Sequence, residues 1–319
     1  MVVANGVRLN VTEIPARRSR PGDRAQIPTI FIHGLAASSA FWYGAGASVI
    51  SVLGPCILYD LRGHGKSETP DSGYAVTDMA ADLIGLLDHF GYDRVNLVAH
   101  SFGGMIALYA ALEHPDRVAS LSLVDVRVRP LQSKLAIKAR KIAPAIARRL
   151  EAVGIKPESL ADNGDGIHYL NAVARIQVAA GDEAGEFLNA IYQHAKLFKS
   201  PRNARKWIAL TENAAIVASL KDESAFDAKD IARLSLPMMI LVGQESPTLN
   251  SARAVREMCQ HAVYHEVPGM GHFFPVSSPR QFVRPALRFL RAVSKGNPKL
   301  GKTRDTRSGS GRSAAKDMS

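Results

Sequence analysis

Apolar residues fall along this chain in two alternating periods. Short runs rich in Val, Ile and Leu read as strands: PTIFIHG (28–34), CILYDLRG (56–63), RVNLVAHS (94–101), VASLSLVDV (118–126), PMMILVG (237–243) and AVYHEVPG (262–269). Near-continuous apolar runs of this kind suit a parallel sheet covered on both faces. Between them, apolar residues recur every three to four positions. VTDMAADLIGLLDHFG (76–91) predicts a helix capped by Thr77 and stopped at Gly91, GGMIALYAALEHP (103–115) ends at a proline, and SPRQFVRPALRFLRAV (278–293) closes the pattern. The start, MVVANGVRLNVTEI, alternates like a strand and turns at Asn5-Gly6. Strand alternating with helix predicts a doubly wound, mostly parallel α/β sheet.

The alternation breaks once. Between Val126 and Leu236 the pattern is helical and holds no strand signal. LQSKLAIKARKIAPAIARRLEAVG sets Leu135, Ile142, Ile146 and Leu150 near one face, with Pro144 expected to break or kink it. The expected layout is a core over 1–126 and 236–294, a helical cap over 127–235 and a disordered basic tail over 295–319.

Composition changes this picture little. The chain has 319 residues, 46% hydrophobic and 22% charged, an ordinary globular balance. Its net charge of +11 is unevenly spread. The tail carries seven Lys or Arg against two Asp, and residues 127–149 hold eight basic residues and no acid. No nucleic-acid motif accompanies them, so they read as a solvated helix face and a floppy end, with no nucleic-acid partner. Cys56 and Cys259 have neither metal-ligand spacing nor a disulfide framework around them. The N-terminus lacks a signal-peptide pattern, and no apolar run reaches the length of a membrane span. A cytoplasmic protein without stable membrane insertion is expected. Oligomeric state leaves no trace in the sequence.

LVAHSFGGM (97–105) carries the strongest chemical signal. Ser101 stands between a strand end and a helix start, with glycines directly behind it. A nucleophile elbow needs this arrangement, in which a sharp turn exposes the hydroxyl above a helix N-terminus. Ala99 replaces the usual first glycine and Gly103 matches the second. The helix N-terminus and the Phe102 N–H would stabilise negative charge beside Ser101.

With FIHGLAASSAFW (31–42), YDLRGHGKS (59–67) and VPGMGHFFP (267–275), the elbow makes four motifs in one order. Together they resemble the α/β-hydrolase fold superfamily in its cap-bearing branch, over roughly residues 5–295. The resemblance implies Ser101 as nucleophile, His272 as general base and the Leu35 N–H as second oxyanion donor beside that of Phe102. It implies structural roles for His33, His64 and His100. A serine at the elbow sets the chain apart from haloalkane dehalogenases and epoxide hydrolases of this fold, which use aspartate there.

The acid is the irregular part. Most of the family carries it after the seventh strand, three residues past a glycine, and counting from Gly243 gives Ser246. Glu245 lies one residue earlier on a longer arm. Asp125 ends SLSLVDV, 24 residues after Ser101, a spacing that fits one strand–turn–helix–turn–strand unit. An aspartate at a strand's C-terminal edge points into the crevice where such sheets bind ligands. Asp125 is the favoured acid and Glu245 the alternative. Candidate substrate contacts are Phe41, Trp42, Phe102 and Phe273, with Tyr169 and Trp207 from the cap. These mostly apolar residues predict a small uncharged or acyl-chain substrate.

The resulting expectation is a serine hydrolase cleaving an ester, lactone or thioester. An acyltransferase, or a slow-turnover ligand receptor on the same scaffold, would use the same residues. No motif implies a metal, nucleotide or flavin cofactor.

Overall fold

The structure, a computed structural model, describes residues 1–17, 26–135, 141–160, 166–191, 201–222 and 224–296. The expected tail lies almost wholly outside these residues. Strands β1 (Val2–Ala4) and β2 (Val7–Leu9) form an antiparallel hairpin. Asn5 and Gly6 at its tip take φ of +49° and +74°, the left-handed pair that a two-residue hairpin favours.

Seven further strands form one sheet: β3 (Val11–Ile14), β4 (Thr29–Ile32), β5 (Cys56–Tyr59), β6 (Val95–His100), β7 (Val118–Val124), β8 (Met238–Gly243) and β9 (Val263–Val267). Their order is β3-β5-β4-β6-β7-β8-β9, and β3 alone pairs antiparallel to its neighbour. All residues of β4 to β8 are buried, as their continuous apolar runs require. Order reverses between β4 and β6, which opens a crevice at their C-terminal ends.

Helices α1 (Ser39–Ala45) and α2 (Ala47–Ile50) follow β4, α3 (Val76–His89) follows β5, and α4 (Gly103–Glu113) follows β6. Between β7 and β8 lies the helical insertion: α5 (Pro144–Ala152), α6 (Gly166–Ala180), α7 (Ala184–Ile191), α8 (Pro201–Glu212) and α9 (Ala214–Leu220). The chain closes with α10 (Leu249–Met258), α11 (Phe274–Ser277) and α12 (Pro279–Ser294). Side chains alternate along each strand. Leu97 and Ala99 of β6 therefore join one core with α3, α4 and the insertion, while Val98 joins a second with Trp42, Phe282 and Phe289. Among the described residues no helix is long and apolar enough to cross a membrane.

One helix start differs from expectation and one agrees with it. Ala75, not Thr77, is the N-cap of α3, and its N–H donates to the Asp78 carboxylate at 3.0 Å. An acid at the third helical position captures that donor and leaves the threonine inside the first turn. Pro144 does break the helical stretch: residues 141–143 are outside any helix and α5 begins at Pro144, where the first helical position needs no N–H donor.

The insertion is tied to the sheet through α8. Lys206 Nζ donates to the carbonyls of Ser67 at 2.7 Å, Gly65 at 3.2 Å and His64 at 3.5 Å. Trp207 packs on the His64 ring with centroids 5.7 Å apart. A β-carbon on Gly63 would meet Leu210 at 3.1 Å and Tyr74 at 2.7 Å, so the turn packs closely under α8. YDLRGHGKS thus serves as the seat of the insertion.

Candidate active site

Ser101 follows the last residue of β6 with φ of +53°, a left-handed conformation that disfavours every residue with a side chain. The turn is held by main-chain bonds, from Ser101 N–H to Val124 O at 3.3 Å and from Gly104 N–H to Ser101 O at 2.9 Å. Its tightness explains the glycines. A β-carbon on Gly103 would lie 2.6 Å from the His33 carbonyl oxygen. One on Gly104 would lie 2.2 Å from a Val126 methyl, and one on Gly34 2.8 Å from the Ser101 β-carbon.

His272, in the loop after β9, reaches the elbow. Its Nε2 lies 3.1 Å from Ser101 Oγ and its Nδ1 2.6 Å from Asp125 Oδ1. Asp125 is fully buried just past β7 and takes φ of +53° as well. Burial, the largest influence, would raise its pKa. The electrostatic attraction and hydrogen bond of His272, the Gly243 N–H and the Ser246 hydroxyl outweigh burial and hold it below the usual aspartate value. An ionised carboxylate only accepts, so Nδ1 carries the proton and Nε2 offers a lone pair to the serine. The remaining partners of Asp125 are Gly243 N–H on Oδ2 at 2.8 Å, and Thr248 Oγ1 at 2.7 Å and Ser246 Oγ on Oδ1.

Glu245 lies exposed on the cavity wall, and both ring nitrogens of His272 are engaged elsewhere. Its N–H donates to Met270 O at 2.9 Å. The carboxylate that meets His272 is therefore Asp125.

The loop after β4 forms the facing wall. His33 is buried, and burial lowers its pKa in spite of Asp60 and a hydrogen bond to Gly34, so the ring is neutral. Its Nε2 accepts the Leu61 N–H at 3.0 Å, which leaves the proton on Nδ1 to donate to Gly34 O at 2.7 Å. Ala36 bends the loop with φ of +60°. The N–H groups of Leu35 and Phe102 have no acceptor among the described residues, and both residues line the cavity over Ser101. His100 stacks on Phe41 at 4.4 Å and donates from Nε2 to the His272 carbonyl at 3.0 Å. Burial depresses its pKa to about 3.

The cavity has a volume of about 140 Å³ and lies between the sheet's crevice and the insertion. Phe102, Phe273 and Tyr169 line it, as expected from sequence. Phe41, Trp42 and Trp207 do not. Phe41 and Trp42 are buried beneath the elbow, in the core on the far side of the sheet, because α1 turns them inward. Trp207 is buried between α8 and the His64 turn. Aromatic residues next to a motif mark core as readily as pocket. Sequence reasoning missed Met105 from α4, Leu170 and Leu220 from the insertion, and the hydroxyls of Ser246 and Thr248. The last two had one visible sign, hydroxyl residues two apart just after a strand.

The profile of the family described as alpha/beta hydrolase fold matches residues 28–279. A putative carbamate hydrolase, RutD, of Variovorax paradoxus (strain S110) is 42% identical over 98 residues, 30% of this chain and 37% of that protein. The chain thus aligns with little more than a third of that relative's length. A soluble epoxide hydrolase of Corynebacterium sp. (strain C12) is 26% identical over 82% of this chain and 90% of its own. Among solved structures, the enol-lactonase from Burkholderia xenovorans LB400 superposes with a TM-score of 0.60 at 18% identity, covering 91% of this chain and 99% of that one. At that identity the likeness concerns the fold.

Proposed function

Because the chain belongs to the α/β-hydrolase fold family, we propose that it is a serine hydrolase that cleaves an ester, lactone or thioester through an acyl-enzyme on Ser101. The observation that carries this reading is the unbroken line from Asp125 Oδ1 to His272 Nδ1, at 2.6 Å, and from Nε2 to Ser101 Oγ, at 3.1 Å. His272 takes the hydroxyl proton as Oγ attacks the acyl carbon. Asp125 stabilises the imidazolium that forms and keeps the ring in the tautomer that can accept. The N–H groups of Leu35 and Phe102 receive the oxyanion, and the helix α4 N-terminus adds a favourable dipole. His272 then returns the proton to the leaving oxygen or sulfur. Water, deprotonated by the same nitrogen, attacks the acyl-enzyme, releases the acid and restores Ser101.

A carbamate, like an ester, offers a carbonyl carbon to the nucleophile, so the relative named for carbamate hydrolysis fits this chemistry. Opening an epoxide through an alkyl-enzyme calls for a carboxylate where this chain has Ser101. The cap supplies much of the apolar wall, through Ile167, Leu170 and Leu220 with Tyr169, and Met105 and Phe102 face it from the core. This part of the lining suits an apolar acyl chain, while Arg127, Arg129, Asp222 and Glu245 also reach the cavity. Fluorophosphonate treatment followed by peptide mass spectrometry is expected to place the adduct on Ser101. Ser101→Ala is expected to lose labelling and at least a thousandfold in esterase rate, roughly the scale of losing a nucleophile. A folded Ser101→Ala protein with full turnover would overturn the mechanism.

A further inference from the structure

Asp125 receives more donors than an orienting acid needs to hold one imidazole. Oδ1 accepts from His272 Nδ1, from Thr248 Oγ1 at 2.7 Å and from Ser246 Oγ, while Oδ2 takes the Gly243 N–H at 2.8 Å. Ser246 and Thr248 lie in the loop between β8 and α10, and both are buried, at 7% and 2% exposure. Their own geometry directs the protons. Thr248 N–H donates to Ser246 Oγ at 3.2 Å, and Ser246 N–H donates to Gly243 O at 3.0 Å. The two hydroxyl oxygens lie 3.1 Å apart. Each hydroxyl has one proton, and a hydroxyl that gave it to the other would leave the buried carboxylate short of a donor.

Main-chain bonds fix the Asp125 backbone, whose N–H donates to Leu241 O at 2.7 Å. They do not fix rotation of the carboxyl group, a broad, soft torsion. We propose that the Ser246–Thr248 hydroxyl pair is a positioning device for the Asp125 carboxylate, holding Oδ1 toward His272 Nδ1. The loop after β8 then acts in catalysis by aiming an acid carried on the neighbouring strand. This inference rests on the reading of Asp125 as the acid of the Ser101–His272 pair.

The test is a set of variants assayed on p-nitrophenyl acetate, each checked for folding by circular dichroism. Thr248→Val keeps the shape and removes the hydroxyl; Thr248→Ser keeps the hydroxyl. Thr248→Val and Ser246→Ala are each expected to lower kcat by about tenfold, the scale of a hydrogen bond to a charged group acting indirectly. KM should stay within about twofold, and Thr248→Ser should retain most of the rate. A double-mutant cycle separates positioning from general damage. In an Asp125→Asn background, Ser246→Ala is expected to cost nothing further. The inference falls if the folded Ser246→Ala/Thr248→Val protein keeps its kcat, or if Ser246→Ala costs as much in the Asp125→Asn background as in the wild type. Nearly full activity of Asp125→Asn alone would overturn the acid itself, and this inference with it.

Discussion

Ser101 and Asp125 sit at the ends of neighbouring parallel strands, each one residue past the last ladder position, and each with φ of +53°. The two turns are geometric siblings with different support. The Ser101 turn depends on missing side chains close by in sequence: Gly103 and Gly104 let α4 press against β4 and Val126. The Asp125 turn needs no glycine neighbour. Aspartate tolerates the left-handed region better than most residues. Its partners, Gly243, Ser246 and Thr248, arrive from 118 to 123 residues downstream. A turn built by local sterics leaves a motif. A turn built by distant hydrogen bonds leaves a solitary acid at a strand end.

The sharpest way to break the comparison is to remove charge from the second turn. Asp125→Asn is expected to reduce esterase turnover by about 10³- to 10⁴-fold with the fold intact, because the amide favours the wrong His272 tautomer. Glu245→Gln should stay within about threefold. Steady-state kinetics on one ester decides it, and the reverse ranking would move the acid to Glu245.

Next in size is the steric dependence of the first turn. Gly103→Ala and Gly104→Ala should each cost about 1–3 kcal/mol, the range for overpacking. Their obstacles differ. Gly103 faces the main-chain oxygens of Ile32 and His33, whereas Gly104 faces the Val126 side chain. Adding Val126→Ala should therefore recover stability for Gly104→Ala and none for Gly103→Ala in urea melts. Equal recovery in both would show that the close approaches do not set the elbow.

The smallest effect separates the turns by pH. The pKa of His100 and that of Asp125 are both depressed on folding. In each case the unfolded chain binds more protons, so stability is present at neutral pH and is lost on acidification. For His100, with a folded pKa of about 3, the loss begins below the ordinary histidine value of 6.5. It should amount to about 1 kcal/mol between pH 7 and pH 5.5. For Asp125 the loss begins only below about pH 4, near the unfolded aspartate value. His100→Gln should make the first window shallower by that share, with buried His33 and His64 supplying the rest, and leave the second, whereas Asp125→Asn should make only the second shallower, in melting temperatures measured across pH.

The sheet's strands were legible because buried parallel strands read as unbroken apolar runs, and α3, α4 and α12 because their apolar faces repeat at helical spacing. Ser101 and His272, brought within 3.1 Å, each sit in a glycine-marked loop. The remainder depended on contacts that no local pattern encodes. The cap fell on Ala75, whose N–H Asp78 captures, and not on Thr77, a choice between nearby residues that only backbone geometry resolves. Phe41 and Trp42 could face pocket or core with equal propensity, and the orientation of α1 on the sheet decided for core. The Asp125 partners lie across the whole insertion in sequence.

That insertion is fastened in more than one place: near its start Gln132 Nε2 donates to Pro247 O at 2.6 Å, and further along α8 is held to the sheet. Lys206 gives its three protons to carbonyls of one turn, with the ammonium half-buried and its pKa lowered mainly by desolvation. Lifting α8 would strand those carbonyls and unstack Trp207 from His64, so displacing this helix is costly. The roof of the cavity, Tyr169 and Leu170 on α6 and Leu220 on α9, rests against that anchored helix.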